Sequence, residues 1–252
     1  KNSLKTRFLI CCFALVAQDN TREIELTESS LKKQLYKNYE LLILSKHNFE
    51  ELNTRLSEDM YLILLPAGTT LSALALYWLA EEIERTNSVF IYSDHDYLSE
   101  NGKRFNPCFK PDFSAEFLNA LNYIDFAFAI KDSLFKNLKI KKDDLFSYDC
   151  HSLLVKVMEN TSSFLIKHIS AILFHLPELI LKNRKIMERP DNSVKEHFER
   201  IGVQANIERL TFNGYKIIYN PVYFPLTSVI IPSKDNFVFL KRCIDSIINK
   251  TT

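Results

Sequence analysis

The chain has 252 residues, 46% of them hydrophobic and 25% charged, with a formal net charge of +1 at pH 7. That length accommodates one α/β domain with further structure attached, and the composition is that of an ordinary globular protein. The near-neutral balance excludes recruitment of nucleic acid or an anionic membrane by bulk charge. Four glycines, none in a G-x-G-x-x-G or G-x-x-x-x-G-K pattern, exclude folds built on glycine-rich phosphate loops.

In chain order, residues 8–16 form an apolar run too short to span a bilayer, which needs about 20 residues. Length alone would also suit the core of a signal peptide. With Lys1 in place of an initiator Met, a buried parallel strand is the preferred reading. Helical spacing follows over 25–36, and Tyr39–Leu44 reads as a second strand with a polar tail at 45–48. A short charged helix at 49–56 leads to a third strand at 61–65, stopped by Pro66-Ala67-Gly68. Residues 71–84 are amphipathic and carry the sole tryptophan, Trp78, and 89–92 are a fourth strand. Strands alternating with helices predict a doubly wound, mostly parallel sheet whose ligands bind beyond the strands' carboxyl ends.

From 93 to 125 the chain reads as polar, aromatic loop. Helices are expected at 149–160, 177–187 and 194–202, with a strand or strand pair at 164–175 and a strand at 211–219. The polar stretch 188–193 reads as the start of a linker running to 224. An apolar strand at 227–232 and a helix at 237–249 begin a new unit, so close to Thr252 that a truncated second domain is expected. The cysteines Cys11, Cys12, Cys108, Cys150 and Cys243 form no C-x-x-C and read as reduced thiols of a cytoplasmic protein.

Several motifs, in order, carry a family resemblance. Tyr92-Ser93-Asp94-His95-Asp96 is followed by Gly102, Arg104 and Pro107, then by Phe109-Lys110-Pro111-Asp112-Phe113-Ser114 and Asn122-Tyr123-Ile124. Further on come Asp149-Cys150-His151-Ser152-Leu153-Leu154, then His168-Ile169 with Phe174-His175, and the linker residues His197 to Gly202. Last are Pro225 to Asn236 and Cys243 to Ile247. Together these resemble family 2 glycosyltransferases of GT-A fold, in particular the tandem-module enzymes of cell-surface polysaccharide and O-antigen biosynthesis.

The resemblance implies a diverged GT-A-like module over 1–187, a linker with a short helix and strand over 188–224, and the strand and helix that open a second module over 225–252. It implies an α/β fold, with a Rossmann-like sheet flanked by helices. The implied activity is hexosyl transfer from a nucleotide-sugar donor to a polysaccharide or lipid-linked glycan acceptor. Expected alongside are Mn²⁺ or Mg²⁺, a cytoplasmic location at the inner membrane face through the parent protein, and a partner module in the same chain.

Such transfer needs a divalent cation, held by hard oxygen ligands, to stabilise the leaving diphosphate, and a carboxylate to deprotonate the acceptor. The candidate metal ligands are Asp94 and Asp96, from their ligand-like spacing at a strand end, and His175 by resemblance; the two aspartates are either ligands or part of a solvated turn before Gly102. Asp94 and Asp96, with Asp235 in the second module, are the candidate donor-binding acids. Tyr92, Lys110 and Asp112 are candidate substrate contacts on a cleft rim. Asp149 is either the general base or an anion at a helix N-terminus. His175 is either a ligand or a buried histidine. The family's acidic cluster after the third strand is replaced by Pro66-Ala67-Gly68-Thr69-Thr70-Leu71, and the acidic loop after the second by Ser45-Lys46-His47-Asn48. The loss leaves two readings: a transferase with a degenerate donor motif, or a non-catalytic glycan-binding or module-pairing domain.

Overall fold

The computed structural model describes residues 4–14, 20–146, 149–184, 192–210, 214–220, 223 and 226–250. They fall into two compact units, Lys1–Tyr219 and Asn220–Thr252.

The first unit opens with β1 (Arg7–Phe13), α1 (Thr21–Lys32), β2 (Tyr39–Leu44), α2 (Phe49–Arg55) and β3 (Met60–Pro66). β4 (Thr70–Leu71), α3 (Ala75–Thr86), β5 (Phe90–Leu98), β6 (Arg104–Cys108), α4 (Ala115–Ala120), β7 (Phe128–Lys131) and α5 (Asp132–Asn137) follow. Then come α6 (Lys142–Leu145), α7 (His151–Asn160), β8 (Ile166–Pro177), α8 (Glu178–Arg184), α9 (Ser193–Arg200), β9 (Ala205–Arg209) and β10 (Tyr215–Tyr219).

Side chains alternate across a strand, so β1 and β3 feed two cores at once. Leu9, Cys11, Phe13, Leu62 and Leu64 join Leu52 of α2, Leu134 of α5 and Leu153 of α7 on one face. Phe8, Ile10, Ile63 and Leu65 join Leu31 of α1 and Leu76, Leu79 and Ile83 of α3 on the other. The result is a sheet between two helical layers, which accounts for the unbroken apolar runs of β1 and β3.

The α/β class is as expected, but the sheet is mixed. Its order is β2-β1-β3-β7-β5-β8-β4, with β6 alongside β5. β1 is parallel to β2 and β3, and β5 is parallel to β8. β7 enters antiparallel between β3 and β5, and β4 and β6 are antiparallel to β8 and β5. Residues 164–175, expected as a strand or strand pair, lie largely in the single long strand β8. Its register against β5 slips twice, between Ser93 and Asp94 and between Asp94 and His95. Tyr92 faces His168 and Asp96 faces His175, so β8 carries surplus residues as bulges.

β5 itself runs on through residues expected as loop. Ser93, Asp94, His95 and Asp96 are all at most 4% exposed, because β6 and β8 flank this half of the strand.

α9 is latched to α7: Glu159 Oε1 lies 2.7 Å from His197 Nδ1 and accepts from Arg200 Nη2 at 2.8 Å. Burial raises the Glu159 pKa, but the bonds from Arg200 and His197 outweigh it and hold the group below its usual range. Tyr215 of β10 stacks on His151 of α7 at 5.9 Å. α9, β9 and β10 thus lie in the first compact unit, whereas the boundary expected near residue 188 falls outside the described residues.

In the second unit, α10 (Phe237–Lys250) forms as expected, with Asn236 Oδ1 accepting from Phe239 N at 3.3 Å. The strand expected at 227–232 does not form. Strand conformation depends on a ladder partner, and none is present among the described residues. No described helix is long and apolar enough to cross a membrane.

Candidate functional site

The polar half of β5 organises a buried network of acids, histidines and one lysine. Asp94 Oδ1 accepts from Lys110 N at 2.9 Å and lies 2.9 Å from His168 Nε2. The His168 ring stacks on Tyr92, centroids 4.9 Å apart. Asp96 Oδ2 accepts from Arg104 Nε at 2.6 Å, and its Oδ1 lies 2.5 Å from His175 Nδ1. His175 Nε2 is 3.3 Å from Ser72 Oγ. The third acid is Asp125, held at a left-handed φ of 59° and 2% exposed. It accepts from its neighbour Phe126 N at 2.7 Å and from Tyr97 OH at 3.3 Å, and faces His95 Nε2 at 3.7 Å.

Lys110 sits among these acids. Its Nζ donates to the carbonyls of Ser93, at 2.5 Å, and Ile124. Burial pushes its pKa down to about 8, against the opposing pull of Asp125 and Asp94. The charged form is therefore held by carbonyls and carboxylates inside the fold.

The segment 109–114 is anchored from behind. Tyr92 OH donates to Pro111 O at 2.7 Å, and Ser114 N donates to Tyr123 OH at 3.1 Å. Ser114 Oγ caps α4 by accepting from Phe117 N at 3.2 Å. Tyr92 and Lys110, expected on a cleft rim, are core residues instead, at 0% and 8% exposure. Asp112 alone of the three presents a side chain to solvent, with its carboxylate 3.7 Å from His168 Nδ1.

Asp149 is half-buried just ahead of α7. Its Oδ1 accepts from His151 N at 3.0 Å and from Asn122 Nδ2, while Asn122 Oδ1 accepts from Asp125 N at 3.0 Å. Each residue of the Asn122-Tyr123-Ile124 motif thus has a structural partner. Asn122 ties Asp149 to the Asp125 turn, Tyr123 anchors Ser114, and the Ile124 carbonyl receives Lys110. The contacts of Asp149 suit an anion at a helix N-terminus.

The loop after β3, where the resemblance would put donor-binding acids, is held by a bond within itself and by one to α1. Thr69 Oγ1 donates to Pro66 O at 2.7 Å, and Gly68 N donates to Glu23 O at 3.0 Å. Asn48 Oδ1 draws in Ser45 N at 2.6 Å, curling the loop after β2 on itself. Asp235 stands exposed at φ 52° in the second unit.

The expected metal trio Asp94, Asp96 and His175 resolves into separate pairs, Asp94 with His168 and Asp96 with His175. Among the described residues no group of three His, Cys, Asp or Glu could hold a metal ion. The donor set does not fit a divalent cation, since the acids lie in separate pairs and Asp94 Oδ1 and both oxygens of Asp96 already face nitrogen groups. His168 and Arg104 were legible as motif residues, but not as partners of the acids. Asp125 carried no sequence signal, and His95, though inside the 92–96 motif, was not legible as its neighbour, because their meeting depends on tertiary contact.

The fold is α/β and GT-A-like, resembling that seen in glycosyltransferase structures. Residues 1–349 of TarS from S. aureus superpose with a TM-score of 0.50 at 11% identity, covering 76% of this chain and 69% of that one. The same region of TarS in complex with UDP gives 0.53 at 12% identity, covering 76% and 65%. No family model matches the chain. The O-antigen biosynthesis protein RfbC of Myxococcus xanthus is 27% identical over 188 residues, covering 72% of this chain and 14% of that protein. The uncharacterized protein y4gI of Sinorhizobium fredii (strain NBRC 101917 / NGR234) is 23% identical over 211 residues, covering 78% and 23%. The chain therefore spans less than a quarter of the length of either curated relative.

Proposed function

We propose that this chain is part of a glycosyltransferase that builds a polysaccharide or O-antigen, and that its first unit is a module with a closed donor site. In this reading the unit holds glycan or supports a catalytic module elsewhere in the same chain, and does not itself transfer hexose. The observation that carries it is the occupancy of the β5 acids: Asp94 and Asp96 are buried and engaged by Lys110, His168, Arg104 and His175. The missing acids after β2 and β3 support the same reading. The relative that acts in O-antigen biosynthesis supports a polysaccharide setting, and the UDP complex of TarS supports a nucleotide-sugar donor for the parent protein. Such a parent would work from the cytoplasm, at the inner membrane face where lipid-linked acceptors present themselves.

Titration calorimetry with UDP, GDP and TDP, each with Mn²⁺ present, tests this directly. The expected result is no metal-dependent binding. A micromolar affinity that needs Mn²⁺ and is abolished by Asp94→Ala or Asp96→Ala would overturn it in favour of an active transferase, with Asp149 as the candidate base.

A further inference from the structure

On the side of the sheet covered by α1 and α3, a groove of about 280 Å³ opens between α3 and the start of β8. It is lined by Trp78, Glu81, Glu82, Arg85, His168 and Ile169. Positions 78, 81, 82 and 85 form one stripe on α3, because residues three and four apart share a helix face. Residues 75, 76, 79, 80 and 83 turn to the core. Trp78 is 40% exposed and so presents part of its indole. Arg85 grips Glu82 through two nitrogens, Nε at 2.9 Å and Nη2 at 2.6 Å, which fixes a flat guanidinium–carboxylate unit beside it. Tyr77 OH donates to Glu81 Oε1 at 3.3 Å and steadies the next carboxylate. His168 offers main chain only, since its imidazole is 3% exposed and turned to Asp94 and Tyr92.

We propose that this groove binds one ring of a neutral saccharide, at a place separate from the β5 acids; the inference rests on the glycan-handling reading above. The indole supplies a flat apolar face for the C–H side of a pyranose. Glu81 and Glu82 accept from ring hydroxyls, and Arg85 donates to a ring or glycosidic oxygen. Two carboxylates against one guanidinium leave the lining net negative, which disfavours phosphates and uronates. The volume lies just below the usual range of ligand sites, about 300–1,000 Å³, and suits a sugar ring better than a nucleotide sugar. A protein partner fits less well, because interface cores are depleted of glutamate.

Trp78 is the only tryptophan in the chain, so its fluorescence reports on the groove alone. The probes are neutral tetrasaccharides of gluco, manno, galacto and N-acetylgluco configuration, titrated into the full chain at millimolar concentrations, with UDP as control. The expected result is a saturable emission shift and protection from acrylamide quenching with at least one tetrasaccharide, and no change with UDP. Glu81→Gln should weaken that binding about tenfold at an unchanged Tm. Trp78→Ala, tolerated on an exposed helix face, should abolish saturation transfer to the same sugar in ligand-detected NMR. Saturation transfer that persists in Trp78→Ala would overturn the groove and leave the glycan-holding reading standing. An absence of binding by any tetrasaccharide would end both. Concentration-dependent burial of Trp78 in sedimentation runs without sugar would reassign the groove to a contact between copies of the chain.

Discussion

His175 and Asp96 face each other across the β5–β8 ladder, Nδ1 to Oδ1 at 2.5 Å, and the same carboxylate also takes Arg104 from β6. One acid therefore ties three strands together. Asp96→Ala strips the buried His175 of its carboxylate partner while Arg104, half exposed, turns to water. The expected cost is about 2–4 kcal/mol, from breaking a buried, hydrogen-bonded charge network. Urea denaturation measures it. If the role of Asp96 is structural, added Mn²⁺ leaves the wild-type midpoint unmoved, and a metal-dependent rise would contradict it.

Lys110 gives a pH dependence of definite sign. Its folded pKa of about 8 lies below the ordinary lysine value of 10.5, because burial disfavours the charged form. Between those values the unfolded chain binds the proton and the folded chain does not, so this group's contribution to stability rises with pH. Two and a half units correspond to about 3 kcal/mol, gained between pH 8 and 10.5. Burial acts oppositely on the Cys12 thiol, raised from 9.0 to about 12, so its contribution falls above pH 9. Comparison with Lys110→Met cancels the thiol. The gap between wild type and variant should shift toward wild type by about 3 kcal/mol from neutral pH to pH 10.5. A pH-independent gap would refute the assignment.

The latch between α7 and α9 should fail with Glu159. Its folded pKa is depressed, so the stability it contributes is present above the ordinary value of 4.5 and is lost as pH falls through the folded value. Glu159→Ala leaves His197, a buried residue, without that partner. Hydrogen exchange should speed across Ser193–Arg200 while β1 and β3 keep their protection, at a global cost of about 1–2 kcal/mol. Unchanged exchange in α9 would show that packing of Phe198 suffices.

Gly68 is fixed by backbone geometry. Its φ is 91°, and an added Cβ would meet Pro177 Cβ at 3.3 Å. Gly68→Ala should destabilise the protein by about 1–2 kcal/mol, read as a lower Tm. An unaltered or higher Tm would mean that the loop after β3 relaxes freely.

Much of the framework was legible in the sequence. The alternating and continuous apolar patterns placed β2 at Tyr39–Leu44 and most of β1 and β3, and the amphipathic stretch 71–84 marked α3, which starts later, at Ala75, because Leu71 pairs in β4. β5 was cut short at Tyr92 because Ser93-Asp94-His95-Asp96 has the composition of a loop. The two acids are tolerated inside a strand because His168, His175, Arg104 and the main-chain N of Lys110, 8 to 79 positions away, supply their hydrogen-bond partners. The same dependence hid the site. The i, i+2 spacing of Asp94 and Asp96 identified two acids close together, but not that each already had a histidine. Residues 227–232 show the converse, a strand pattern with no ladder to join among the described residues. β7 escaped notice for its brevity, and with it the mixed sheet.

The bulges in β8 uncouple two spacings that a regular ladder would lock together. The acids sit two residues apart on β5, whereas the histidines that meet them, His168 and His175, are separated by a stretch with slack in it. An insertion or deletion within that stretch would change which histidine greets which acid while leaving both ends of the strand docked. The pairing can therefore be rewired by changing chain length alone, with no substitution at any of the four residues.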